Sequence, residues 1–147
     1  MSTTINVASD FVRAVTEGDP PSPADLIVML DRLAHAYHDC PPGDVHDEKF
    51  APPAQDRPAT YRLIASRFPS LGLYATSDPT TTDNENLVAD AMNDLADIVG
   101  DLRDAIATYE QVGPDDGHWD FQFNYQIHWG AHLRRLALYL HVNHAWD

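Results

Sequence analysis

Asp94-Leu95-Ala96-Asp97-Ile98-Val99-Gly100-Asp101-Leu102, with Gly113-Pro114 and then His128-Trp129-Gly130-Ala131-His132-Leu133 downstream, decides the fold. Around the first segment Val88, Ala91, Leu95, Ile98, Leu102, Ala105 and Tyr109 recur every three or four residues, the period of one helix face, which predicts a helix from about Asn84 to Val112. Gly113-Pro114 supplies the stop. A second helix is predicted from about Trp119 to Asn143, with Trp129, Leu133, Leu136 and Leu140 as its seam. Two long helices joined by so short a turn pack as an antiparallel hairpin, which places Leu95, Ile98, Leu102, Leu133 and Leu136 at the centre of the core.

Upstream, the pattern stays helical. Asp10 to Glu17 reads as a short helix closed by Gly18 and Pro20-Pro21. Ser22 is a helix cap followed by Pro23, and Leu26, Leu30, Leu33 and Tyr37 form the apolar row of the next helix. Residues 41–58 carry five prolines and read as an irregular connection. A shorter helix from about Pro58 to Phe68 buries Tyr61, Ile64 and Phe68. Residues 69–83 read as a second irregular connection in which Leu71-Gly72-Leu73-Tyr74 lies extended against the core. The predicted architecture is all-α: one domain spanning residues 1–147, a bundle of four to five helices ending in the long hairpin.

Composition bounds the function. With 23 acidic residues against 9 Lys and Arg, the formal charge is −14, so polyanions are repelled and neither nucleic acid nor an anionic membrane is an expected partner. Cys40 is the only cysteine, which excludes an internal disulfide and a thiolate-rich metal site. Neither a signal-peptide pattern nor an apolar run of bilayer length is present, so a cytoplasmic location is expected.

Asn86 to Gly113, with its Asp94-Leu95-Ala96-Asp97-Ile98, Asp101-Leu102 and Tyr109, followed by Trp119, Phe121 and His128-Trp129-Gly130-Ala131-His132, resembles the C-terminal half of a bacterial family catalogued as domain of unknown function 5063. Leu33 to Pro41 and Tyr61 to Asp78 extend the likeness into the N-terminal half. The resemblance implies a small, helical, cytoplasmic bacterial protein and carries no activity, cofactor or catalytic residue.

Candidate chemistry therefore comes from geometry. Asp94, Asp97 and Asp101 sit one residue before the apolar row of their helix, and His128 and His132 sit one residue before theirs. In an antiparallel pair such flanking positions face each other, so these five residues, with Tyr125 and Trp129, are expected to line one partly buried ligand-binding groove. His128 and His132 with Asp97 or Asp101 make a mononuclear metal-ligand set. A carboxylate that merely orients an imidazole explains the same pattern without a ligand. A carboxylate-bridged di-iron centre is excluded by the lack of Glu-x-x-His pairs. The His46-Asp47 dipeptide lies in the proline-rich connection and does not make a helical His-Asp phosphohydrolase. No reaction is specified by these residues. The expected role is a non-catalytic binding or protein-interaction module without a cofactor, its partner a protein or small molecule of unknown identity. The alternative is a metal-dependent, hydrolase-like enzyme with one divalent transition metal such as Zn in the groove. Phe123 and Trp146 fall off the main seam and offer a homodimer contact.

Overall fold

The computed structural model describes residues 2–83 and 85–146. Among these residues six α-helices run α1 Thr3–Thr16, α2 Pro23–Asp39, α3 Arg57–Arg67, α4 Ala91–Gln111, α5 Pro114–Asn124 and α6 Gly130–His144, with a π-helical turn at Tyr125–Trp129 and two short strands, β1 Leu73–Thr76 and β2 Leu87–Asp90. The protein is an all-α bundle carrying one small antiparallel hairpin in the register Leu73↔Asp90 to Thr76↔Leu87. No helix among the described residues is long and apolar enough to cross a membrane.

The first helix begins at Thr3 rather than Asp10, because the Ser2 hydroxyl accepts the Ile5 amide at 3.1 Å and Ile5, Ala8, Phe11 and Val15 form a buried stripe over its whole length. Arg67, at the end of α3, donates to the carbonyls of Val15, Glu17 and Gly18 and so closes the other end of α1. In α2 the Ser22 cap and the buried row Leu26, Leu30 and Leu33 stand as read. Residues 41–56 are irregular but anchored, since Asp116 Oδ2 accepts the amides of His46 and Asp47 at 3.0 Å each. Asp56 then caps α3 through the Ala59 amide at 3.0 Å.

The hairpin of long helices is present, with two corrections. The predicted start of its first arm at Asn84 lies outside the described residues, and the arm is helical only from Ala91. Leu87 to Asp90 form β2 instead, so Val88, assigned to the helical core row, is 75% exposed. Asp90 ends the strand and caps α4 by accepting the Met92 amide at 2.9 Å, while its Oδ2 accepts the Tyr61 hydroxyl at 2.6 Å. The second arm starts at Pro114 rather than Trp119 and is interrupted by the π turn, in which the Gly130 amide reaches back to the Tyr125 carbonyl. α4 packs along α5, the π turn and α6. Leu95, Ile98, Leu102, Leu133 and Leu136 are all buried to within 1% of full burial and join α1 to α3 in one core.

Candidate functional site

The groove is built by two helical segments that must keep their polar rows level. α4 presents Asp94, Asp97 and Asp101 on successive turns, each immediately before a residue of the buried row Leu95, Ile98 and Leu102. The opposing row comes from the π turn and α6. A π turn holds one more residue per hydrogen-bonded loop than an α turn and so shifts the register of everything beyond it. Gly130 makes that turn feasible, because a Cβ there would stand 2.4 Å from the Tyr125 carbonyl oxygen. His128 stands opposite Asp101 and His132 opposite Asp94.

The geometry is paired. His128 Nδ1 lies 2.5 Å from Asp101 Oδ2, and His132 Nδ1 lies 2.7 Å from Asp94 Oδ1. The remaining nitrogens turn toward one oxygen: His132 Nε2 is 3.2 Å and His128 Nε2 4.0 Å from Asp97 Oδ2. Ligand atoms of Asp97, His128 and His132 all fall within 4.8 Å of one another, and these three form a group of metal-ligand type among the described residues. Burial is graded across the site, since the Asp94 side chain is 2% exposed and that of His128 42%.

Residues from poorly periodic segments complete the surroundings. Tyr74, on β1, donates its hydroxyl to Asp94 Oδ2, and its ring stacks on Tyr139 of α6 with centroids 4.8 Å apart. Burial and the Asp94 carboxylate push the Tyr74 hydroxyl well above the usual phenol range, so it stays a proton donor to Asp94. Arg135 Nη2 stands 3.3 Å from His132 Nδ1. On the other side, Arg57 Nη2 approaches Asp101 Oδ1 at 3.5 Å and Asp104 Oδ2 at 3.3 Å, while Gln55 Nε2 donates to Asp104 Oδ1 at 2.7 Å. Further along the same side, burial and the neighbouring Asp104 and Asp101 raise Asp120 to about 6.

Of the seven residues expected in the groove, the structure brings five together: Asp94, Asp97, Asp101, His128 and His132. Tyr125 and Trp129 sit elsewhere. Tyr125 stacks on Tyr37 at 3.8 Å and accepts from Arg134 at 2.9 Å, and Trp129 is fully buried against Phe121 and Tyr125. Trp129 takes its place on the buried seam with Leu133, Leu136 and Leu140, and Tyr125 opens the π turn one loop before it. Tyr74, Arg57, Gln55 and Arg135 were not signalled as site residues. Only Tyr74 lay in a segment read as extended against the core.

A comparison with curated proteins finds no match. Among solved structures, the chain is similar to the crystal structure of protein BF1032 from Bacteroides fragilis, with a TM-score of 0.75 at 17% identity over 98% of this chain and 92% of that one, a likeness of fold. The family model described as "Domain of unknown function (DUF5063)" matches residues 29–145. With its two long helical arms, the groove between them and most of its length inside that match, this chain belongs to the DUF5063 family.

Proposed function

We propose that this chain is a metal-binding protein that takes one divalent transition-metal ion, with Zn2+ as the reference case, between His128, His132 and Asp97. One observation carries the reading: in each imidazole Nδ1 is engaged by a carboxylate, Asp101 or Asp94, while Nε2 faces Asp97. A carboxylate on the far nitrogen fixes the tautomer, aims the ring and raises the basicity of the ligating nitrogen.

The spacing supports the same reading. Metal bonds of about 2.0 to 2.1 Å at the tetrahedral angle put neighbouring donor atoms about 3.3 Å apart. The His132 to Asp97 separation of 3.2 Å already has that value, and the His128 separation of 4.0 Å has to close by about 0.7 Å, a small movement for a half-exposed ring. Three protein ligands leave a fourth position for water or a small ligand.

Binding is favoured over hydrolysis because Asp94, Asp97 and Asp101 are each engaged in orienting or ligating an imidazole. None of the three is left to act as general base toward a bound water. Elemental analysis of untagged protein, purified without added metal and compared with Asp97→Ala, tests the reading. About one ion per wild-type chain and a clear loss in the variant are expected. Equal, background-level metal in both, with no uptake on adding Zn2+, contradicts it.

A further inference from the structure

The two orienting carboxylates of the groove are themselves held differently, and the difference is built into the backbone. Asp94 is almost fully buried and accepts a neutral hydroxyl from Tyr74. Asp101 instead meets a cation, with Arg57 Nη2 at 3.5 Å from its Oδ1 while its Oδ2 is engaged with His128. Arg57 reaches that position by lying directly on α4 at Gly100, where a Cβ would stand 2.3 Å from Arg57 Nη1 and 2.7 Å from Cζ. Any other residue at 100 displaces the guanidinium. Gln55 reinforces the approach by donating to the Gly100 carbonyl at 2.9 Å and to Asp104 at 2.7 Å.

Glycine in the middle of a long helix is less favourable than Ala, because it has more backbone freedom to lose. Gly100 sits in the middle of α4, so its position asks for a compensating use. We infer that Arg57 is a positioning residue of the metal site, acting through Asp101 on His128, and that Gly100 is the opening in α4 that admits it. The inference rests on the metal-binding reading for its consequence, though the orientation of His128 is a property of the metal-free chain as well.

Arg57 bears on one arm only. It fixes the Asp101 carboxylate from the side opposite to His128, and so restrains the rotation of the more exposed of the two imidazoles, which has the larger gap to close onto a metal. His132 takes its carboxylate from Asp94, which Tyr74 holds. Because Arg57 opens α3 and follows the proline-rich connection, the placement of that connection is coupled to the His128 arm.

Gly100→Ala is the informative variant, since it leaves every charge in place, favours the helix, and collides only with the far end of a flexible side chain. Arg57→Gln, which keeps a shorter polar side chain but removes the cation, is its companion. Two readouts are taken on wild type and both variants: affinity for Co2+ as the probe, and the ring-nitrogen NMR shifts of His128 and His132 without metal. The expected result is retained helical content, Co2+ binding weakened on the order of tenfold in both variants, and altered His128 ring signals with those of His132 unchanged. Unchanged Co2+ affinity in both variants, or ring signals of both histidines moving together, overturns the inference. If wild-type protein takes up no Co2+, the metal-binding reading fails by itself. The positioning role is then decided by the His128 ring signals alone, a selective change supporting it and no change overturning it.

Discussion

His132 and Asp94 meet with Nδ1 2.7 Å from Oδ1 at a point where the carboxylate is 2% exposed and the ring 14% exposed, so a charge-bearing pair is buried against the hydrophobic seam of α4 and α6. Asp94 also accepts the Tyr74 hydroxyl, which ties the β hairpin to the same point. Removing one partner of a buried pair leaves the other unsatisfied, a cost of about 3 to 5 kcal/mol. Asp94→Ala is therefore expected to lower the unfolding free energy by about 3 kcal/mol, read by urea denaturation at neutral pH. A loss below about 1 kcal/mol means the pair is solvated in solution.

Leu102 lies fully buried in the core, next in sequence to Asp101 of the carboxylate row. Leu102→Ala is expected to cost about 2 to 5 kcal/mol, through lost transfer free energy and the cavity left behind. Denaturation curves with an unchanged m value and a lower midpoint are the expected form; a change under about 1 kcal/mol contradicts the assigned core face.

His128 lies within the π turn that Gly130 closes. Gly130→Ala places a Cβ 2.4 Å from the Tyr125 carbonyl oxygen, a backbone atom that has no room to yield. Overpacking of this kind costs about 1 to 3 kcal/mol, and its relief has to move the turn that carries His128. Lower thermal stability together with changed His128 ring resonances is expected. An unaffected variant indicates that the turn is α-helical in solution.

The two long helical arms were legible in the sequence because Leu95, Ile98 and Leu102 repeat at helical spacing and Gly113-Pro114 marks the break. The facing of Asp94, Asp97 and Asp101 toward His128 and His132 followed from their common one-residue offset. Leu87-Val88-Ala89 escaped because an apolar run adjoining a helix carries the helical period equally well, and only pairing with Leu73 to Thr76 makes it a strand. The start of α1 escaped because Thr3 and Thr4 are weak helix formers that depend on the Ser2 cap. Trp129 is buried on the seam where its spacing put it and so does not line the groove, while Tyr125 stands at the start of a π turn that leaves no compositional mark. Arg57 and Gln55 come from chain without periodicity, and their reach to α4 is a purely tertiary fact.

Asp120 gives the protein a pH dependence of unusual sign for a carboxylate. Burial, then Asp104 and Asp101, raise it to about 6 in the folded state, against roughly 3.9 when unfolded. The folded state therefore binds the proton more tightly. The contribution is present below the unfolded value and is lost as pH rises from about 4 through about 6. Allowing for its solvent-exposed edge, the loss amounts to about 1 to 2 kcal/mol. Asp120→Asn is expected to be more stable than wild type at pH 7.5 by about that amount and no more stable at pH 4, by denaturant titration at the two pH values. Equal differences at both pH values contradict the shifted carboxyl.

Calorimetric titration of metal-free, untagged protein with Zn2+, run beside Asp97→Ala, decides whether Asp97, His128 and His132 form one metal site. Asp97 is partly exposed, and its loss leaves both histidine–aspartate pairs in place. Saturable binding at about one Zn2+ per chain is expected, with an affinity at least about tenfold weaker in the variant. No saturable uptake by the wild-type chain, or identical isotherms for the two proteins, contradicts it.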